Sequence, residues 1–198
     1  MIRTASESDV RSMLDIYAPY VRETTITFEY EVPTLDTFRA RFESITQKLP
    51  WLVWEEDGQV LGYAYASLPF ERAAYAWCCE PSIYLRRDVR GRGLGKKLYA
   101  ALEALLSDMG YQVIFAIITG ENAASLAFHK ALGYEKCGEL VKTGLKFGRW
   151  LDVYWMEKRL NPVEIPRNFP ISWQAFRENS QKISDILGKM SLSESAKV

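Results

Sequence analysis

Three glycines alternate with other residues at positions 91, 93 and 95, and they constrain the fold more than any other stretch of the chain. An apolar run at 83–85 precedes them across a charged turn. Apolar residues then recur at helical spacing from Leu94 to Met109, and Gly110 fits a C-terminal cap. A strand that enters a glycine-rich turn and then a helix brings backbone N–H groups together, and the helix N-terminus adds positive potential. The stretch therefore predicts a site for a phosphate or pyrophosphate.

Two common nucleotide-binding loops do not fit this spacing. A P-loop requires a Ser or Thr after its lysine, but Lys96 is followed by Lys97. A dinucleotide fingerprint requires G-x-G-x-x-G, whereas residues 91–95 have the pattern G-x-G-x-G. A turn that only packs the helix on the strand is the alternative to a ligand site.

Composition limits the class of protein. The 198 residues suffice for one domain with a sizeable core plus an appendage. The 25 Lys and Arg balance 25 Asp and Glu, so a general nucleic-acid surface is not predicted. Three cysteines, two of them adjacent, and one histidine predict neither a disulfide framework nor a metal site. The sequence has no apolar leader and no run of membrane-spanning length, which predicts a cytoplasmic protein without a membrane partner.

Hydrophobic periodicity and turn signals predict an α/β protein with a mixed sheet and flanking helices. Residues 24–33 are predicted as a loop or a short extended segment, residues 142–150 as a loop, and Asp57-Gly58 as a hairpin turn. Pro81 removes a donor from its strand, so pairing must be broken there by a bulge or a splay. The predicted strands are 2–4, 51–55, 59–68, 75–85, 113–118, 134–141 and 151–159, and the predicted helices begin at 6–9, 34, 94 and 122.

The composition changes at Asn161, which predicts a domain of residues 1–160 and an extension of residues 161–198. Three prolines punctuate a linker, and apolar residues from Ile171 to Leu187 predict one weakly amphipathic helix. Residues 191–198 are predicted to be disordered. A surface extension without a chemical role is the favoured interpretation, and packing on a neighbouring subunit is the alternative.

The turn at Arg90–Gly95 (R-G-R-G-L-G) resembles the R-G-x-G-x-G/A loop of the GNAT superfamily of N-acetyltransferases. Further segments resemble the phosphinothricin and methionine sulfoximine N-acetyltransferases in the same order: 24–33 (TTITFEYEVP), 69–77 (PFERAAYAW), 80–85 (EPSIYL), 128–134 (FHKALGY) and 146–153 (KFGRWLDV). The resemblance covers residues 2–160. It implies the GNAT fold, with a splayed central mixed sheet, and acetyl-CoA as the co-substrate.

The resemblance also implies where acetyl-CoA binds. Its pantetheine arm would pair with the strand before the turn, and its pyrophosphate with the N–H groups of the turn. Asn122 is either a cofactor contact or a simple helix N-cap, and the two roles are compatible. The implied cofactor residues are Ile83, Tyr84, Leu85, Arg90, Gly91, Arg92, Gly93, Leu94, Gly95, Lys96, Asn122 and Ser125.

Acetyl transfer to an amine requires a deprotonated amine and a proton for the leaving thiolate. The resemblance assigns the base to Glu80, at the predicted splay, and a solvated strand-edge glutamate is the alternative. A free carboxylate is a poor match to an ammonium group, so a water relay or a raised pKa is implied. His129 occupies the position of the residue that protonates the thiolate in related enzymes, or it is only packed.

The implied acceptor is a small amino-acid-like amine. Arg72 would pair with its carboxylate, and Phe28 would form a wall of the pocket. Lys146 and Trp150 match a hairpin that this subgroup places at a dimer interface, which predicts a homodimer. Cys78-Cys79 depart from the Thr-Val typical of the family and leave the acceptor open. The implied substrate-binding residues are Phe28, Arg72, Ala73, Ala74, Tyr75, Glu80 and Ser82.

The predicted function is therefore acetyl-CoA-dependent acetylation of phosphinothricin, methionine sulfoximine or methionine sulfone. Two alternatives remain open at this point. One is the same reaction on a polyamine, an aminoglycoside or a peptide N-terminus, and the other is a non-catalytic acyl-CoA-binding sensor. Neither a metal nor a nucleic acid enters the prediction.

Overall fold

The computed structural model describes residues 1–89, 91–162 and 165–192, and within them the strands form a seven-stranded sheet of order β1-β2-β3-β4-β5-β7-β6. The strands are β1 (Ile2–Thr4), β2 (Trp51–Glu56), β3 (Gln59–Ser67), β4 (Cys78–Leu85), β5 (Val113–Thr119), β6 (Glu135–Lys146) and β7 (Arg149–Arg159). The helices are α1 (Val10–Glu23), α2 (Leu35–Thr46), α3 (Leu94–Asp108), α4 (Ala123–Ala131), α5 (Trp173–Phe176) and α6 (Ser180–Leu192).

Residues on the two faces of the sheet belong to two separate cores. Along β2, Trp51 and Val53 pack with α1 and α2, whereas Leu52 and Trp54 pack with α3 and the C-terminal helices. This alternation follows from the two-residue period of a strand. The predicted helix caps are confirmed at two positions. The Thr34 hydroxyl accepts the Thr37 N–H at the start of α2, and the Asn122 side chain accepts the Ser125 N–H at the start of α4.

The predicted splay is present, and it lies between β4 and β5. These parallel strands pair only at Cys78 with Val113 and Cys79 with Ile114, and then separate. On its other edge β4 pairs with β3 without a register shift, with Pro81 opposite Ala66. Pro81 lies two residues beyond the last β4–β5 pair, and since proline has no N–H to offer, this position is consistent with the separation. No bulge is needed.

Two predicted segments differ from the structure. The strand predicted from residue 75 begins at Cys78, because residues 73–75 form a 3-10 turn. The loop predicted over 142–150 is wrong: β6 and β7 extend through it and are joined by a two-residue turn at Phe147 and Gly148, both with positive φ. The pairing of β6 with β7 is interrupted by a register shift between Leu140 and Gly144, where Lys142 also has positive φ.

The C-terminal segment forms two helices, α5 and α6, where the sequence predicted one. Their apolar residues pack with α3 in the core, so a surface extension is the wrong description of residues 173–187. The predicted disordered stretch begins inside α6, and its residues 193–198 lie outside the described residues. A domain boundary at residue 160 stays a prediction. None of the helices in the described ranges is long and apolar enough to cross a lipid bilayer.

Because Trp173 is only 4% exposed and belongs to the core beneath α3, Trp173→Ala should lower the free energy of unfolding by about 3–5 kcal/mol. Urea denaturation measures the change. Ile171→Ala is the matched control, because Ile171 is 50% exposed two residues earlier and should change stability by less than about 0.5 kcal/mol. Equal losses in both variants would contradict this packing.

Candidate active site

The separation of β4 and β5 opens a cleft that runs from the glycine turn to Glu80. A cavity of about 500 Å³ lies between β4, the start of α3 and α4. A narrower cavity of about 70 Å³ shares residues with it and includes Glu80 and His129. The residues common to both are Ile26, Ile83, Asn122 and Ser125. The two cavities thus form one cleft, with the glycine turn at one end and the Glu80 carboxylate at the other.

The glycine turn has the conformation that its spacing predicts. Gly91 and Gly93 have backbone φ values of 80° and 77°, which residues other than glycine rarely adopt. Gly95 packs closely on β4, because a Cβ there would lie 3.4 Å from side-chain atoms of both Ile83 and Leu85. The first N–H groups of α3 have no partner within the helix and lie beside the larger cavity. The turn therefore suits an anion.

The predicted basic residues of this turn do not all face the larger cavity. Lys96 lines the larger cavity. The guanidinium of Arg92 instead binds both carboxylate oxygens of Glu56, at 2.7 and 3.0 Å, so its charge is already paired on the surface. Arg90 lies outside the described residues.

Glu80 is the first residue of β4 beyond its last pair with β5. Burial raises the pKa of its carboxyl group to about 7. Within the described part of the chain no cation is paired with it, so desolvation alone accounts for the change. A carboxylate with this pKa can gain or lose a proton near neutral pH. The predicted raised pKa is therefore a property of this position.

His129 is buried, and both of its ring nitrogens have partners inside the protein. Nδ1 lies 2.8 Å from the Ser125 carbonyl oxygen, which can only accept, so Nδ1 carries the proton. Burial lowers the pKa of His129, and in the neutral ring Nε2 accepts from the Tyr99 hydroxyl at 2.8 Å. The same hydroxyl lies 3.3 Å from the Pro81 carbonyl oxygen, next to Glu80.

Sequence reasoning missed Tyr99, although a signal for it exists. Tyr99 lies on α3 one turn after Gly95 and three residues before Leu102, which places a hydroxyl group on the apolar face of the helix. A buried hydroxyl requires a polar partner, and His129 supplies it.

The loop of residues 24–33 is fastened at Thr27 from two sides. The Tyr17 hydroxyl bonds the Thr27 hydroxyl at 2.7 Å, and the Lys146 ammonium donates to the carbonyl oxygens of Thr27 and Val21 at 2.7 and 2.9 Å. Lys146 is only 1% exposed, so its charged end lies inside its own chain. The loop therefore has a fixed path beside the cleft, where Ile26 lines both cavities.

The same loop carries Phe28, and a glycine determines where its ring lies. A Cβ at Gly144 would come within 2.2 Å of two ring atoms of Phe28, so any side chain at 144 would displace the ring. Arg41 of α2 pairs with Glu29 at 2.5 Å and fixes the next residue of the loop.

The structure does not bring all the predicted acceptor residues into the cleft. Ser82 lines it two residues after Glu80, and it pairs with Tyr65 across the β3–β4 ladder. Arg72 lies instead on a separate groove of about 320 Å³. Ala73, Ala74 and Tyr75 form the adjoining 3-10 turn and are exposed. An acceptor role for Arg72 and this turn stays a prediction.

Residues 2–155 match the acetyltransferase (GNAT) domain family. The chain belongs to the GNAT acetyltransferase family. It is 39% identical over 163 residues to a phosphinothricin N-acetyltransferase from Alcaligenes faecalis, covering 81% of this chain and 82% of that protein. It is 39% identical over 166 residues to an L-methionine sulfoximine/L-methionine sulfone acetyltransferase from Pseudomonas aeruginosa, covering 82% of this chain and 95% of that protein. The sequence-based identification is confirmed.

The fold prediction is confirmed by a solved structure of the same family. The crystal structure of a GNAT superfamily phosphinothricin acetyltransferase from Sinorhizobium meliloti, in complex with AcCoA, superposes with a TM-score of 0.81. The two chains are 37% identical, and the match covers 85% of this GNAT protein and 93% of the Sinorhizobium chain.

The raised pKa of Glu80 predicts a pH-dependent cost in stability. Its carboxyl group ionises near pH 4.5 in the unfolded chain but near 7 in the folded one, so the folded state loses stability as pH rises from about 4.5 to about 7, and the loss is complete above that. Glu80→Gln removes this cost and should unfold with a free energy about 1–3 kcal/mol higher than the wild type at about pH 8. The difference should disappear toward about pH 4.

Urea denaturation at a series of pH values measures this difference. Glu178→Gln is the control, because Glu178 is exposed and distant in sequence from the cleft. A stability difference for Glu80→Gln that does not vary with pH would show that the Glu80 carboxyl group titrates normally.

Proposed function

We propose that this chain is an acetyl-CoA-dependent N-acetyltransferase for the primary amine of small amino-acid-like compounds of the phosphinothricin, methionine sulfoximine and methionine sulfone type. The observation that carries the proposal is the position of Glu80, whose pKa is raised to about 7, in a cleft that also contains the anion-binding turn. The names of the relatives support this class of acceptor.

The cleft fits acetyl-CoA in three respects. The first N–H groups of α3, at residues 94–96, have no carbonyl partner within the helix and suit a diphosphate, and the positive φ of Gly91 and Gly93 allows its close approach. Beyond Cys79 the edge of β4 that faces away from β3 has no partner strand, so the backbone groups of Ile83 can bind an amide of the pantetheine arm, while the Leu85 carbonyl oxygen already accepts the Tyr20 hydroxyl. Asn122 and Ser125 line the opposite wall. When bound, acetyl-CoA supplies the acetyl group as a thioester.

The chain's own residues then manage the protons. Near neutral pH the Glu80 carboxylate can accept a proton from the ammonium form of the acceptor, directly or through a water molecule, and leave a nucleophilic amine. We assign His129 a positioning role, because both its nitrogens are engaged within the protein. It accepts the hydrogen of the Tyr99 hydroxyl and so fixes that side chain, whose oxygen lies 3.3 Å from the Pro81 carbonyl oxygen next to Glu80.

Thiol release from acetyl-CoA, measured with a panel of acceptors, tests this function. We expect release with phosphinothricin, methionine sulfoximine or methionine sulfone, and kcat/KM that rises with pH through about 7 as Glu80 ionises. Glu80→Gln should reduce kcat by about 100-fold or more, because it removes the base but keeps the shape.

The remaining outcomes separate the alternatives. Release only with a polyamine, an aminoglycoside or a peptide would keep the reaction but overturn the acceptor class. Binding of acetyl-CoA without release with any amine would favour an acyl-CoA-binding sensor. Undiminished turnover by Glu80→Gln would remove the base from its assigned role.

We also propose that the protein is a homodimer through the β6–β7 hairpin. This hairpin exposes a set of large apolar side chains, which is typical of an interaction surface. The set lies next to the loop of residues 24–33, since the Tyr30 hydroxyl donates to the Leu145 carbonyl oxygen. Its members are Leu140, Val141, Leu145, Phe147 and Trp150, with Tyr30 beside them.

Trp150 is 60% exposed on this hairpin, so Trp150→Glu would place a charge in the proposed interface. We expect sedimentation equilibrium to show a dimer for the wild type at micromolar concentration and a monomer for Trp150→Glu. Ile165→Glu is the control, because Ile165 is 93% exposed outside the hairpin and should leave the dimer intact. A monomeric wild type would refute the proposed interface.

A further inference from the structure

Residues 165–172, here called the strap, lie between the sheet domain and α5. Two backbone hydrogen bonds fasten its C-terminal end: Ile171 N–H donates to the Met109 carbonyl oxygen and Trp173 N–H to that of Lys48, both at 2.8 Å. Pro170 packs on Gly110, with its Cα 3.5 Å from the position of a Cβ there. Since Trp173 is buried in the core, the strap is held firmly from this end.

The strap contacts the loop of residues 68–77, which carries Arg72 and leads into β4. The Trp77 indole N–H donates to the Asn168 carbonyl oxygen at 3.1 Å. The Trp77 ring also stacks on Phe169, with centroids 4.8 Å apart and planes inclined by 17°. Between loop and strap lies the groove of about 320 Å³, which Arg72 and Phe169 line together.

Trp77 directly precedes β4 at the end where β4 and β5 are still joined. Its carbonyl oxygen accepts the N–H groups of Gln112 and Val113 at 2.9 and 3.2 Å, which joins it to the start of β5. The last β4–β5 pair is at Cys79, and Glu80 follows directly. A shift of Trp77 would therefore move both the point where β4 and β5 separate, here called the fork, and the loop that carries Arg72.

The strap lies outside the part of the chain that defines the family. The GNAT domain match ends at residue 155, ten residues before the strap begins. The shared domain therefore does not account for the wall that Phe169 and Pro170 form beside Arg72.

We propose that the strap determines acceptor selectivity, and that Phe169 is the positioning residue that holds Trp77 and the loop of residues 68–77. The acceptor class in this inference rests on the proposed function. The groove beside Arg72 has an aromatic wall and side chains of both charges (Lys48, Glu71 and Arg72), and it is separate from the cleft that contains Glu80. Phe169 therefore acts on the acceptor by holding Trp77 and the loop in place, three residues before Glu80, and not by contact with the reacting amine.

Steady-state kinetics of Phe169→Ala test the proposal. Loss of the aromatic stack should raise KM for the preferred amine about three- to tenfold and reduce the preference for it over larger amines, while KM for acetyl-CoA stays within about twofold. Phe169→Tyr keeps a ring that can stack and should restore the wild-type values. Ile165→Ala, on the exposed part of the strap, is the matched control.

Amide hydrogen exchange of residues 68–77 provides a readout that does not depend on the acceptor. We expect faster exchange in Phe169→Ala than in the wild type, Phe169→Tyr and Ile165→Ala. Unchanged exchange would overturn the positioning role whatever the activity, and faster exchange with unchanged acceptor preference would overturn the role in selectivity. Equal increases in both KM values would indicate a merely structural role.

The two arms also separate this inference from the proposed function. The kinetic arm uses whichever amine of the panel the wild type acetylates best. A wild type that prefers a polyamine would thus overturn the proposed acceptor class, while the exchange arm and the change in preference would still decide the role of Phe169.

Discussion

The site depends on one constraint, which is that β4 and β5 pair at only two positions and then separate. It leaves one edge of β4 without a partner strand, and a strand edge with free backbone groups is normally a liability. Here the freed edge faces a cleft closed by α3 and α4, where an extended ligand can take the place of the missing strand. The same geometry places Glu80 at the first position of β4 that has no partner in β5. Burial can then raise its pKa without a charged partner.

Two ionisable groups near the cleft show how the chain uses burial differently. The ammonium group of Lys146 is compensated by two carbonyl oxygens and serves to fix the loop of residues 24–33. Glu80 has no such compensation, and its carboxylate destabilises the fold above neutral pH. A buried group that lowers stability is characteristic of a functional position, because packing alone would favour a neutral side chain there.

Much of this arrangement could be predicted from local sequence. Glycines 91 and 93, the caps at Thr34 and Asn122, and the break at Pro81 each have a local physical cause, and all are present. The errors concern interactions between distant residues. The β6–β7 strands extend through residues 142–150, and Lys146 within them donates to carbonyl oxygens more than a hundred positions away, which no local pattern indicates. Likewise, no local pattern pairs Tyr99 with His129, thirty residues apart, or places Arg72 outside the cleft.

The C-terminal segment illustrates the same limit from another direction. Its prolines indicated a linker, yet proline also fixes a backbone that can act as a rigid strap once both ends are held. Trp173 and Phe176 are buried in the core and hold the C-terminal end of the strap. Phe169 is thereby kept against Trp77, three residues from Glu80. A segment beyond the shared domain thus packs on the loop that carries Arg72 without contributing a reactive group. In the role that we propose for the strap, substitutions there change selectivity while the separated strands and Glu80 stay the same.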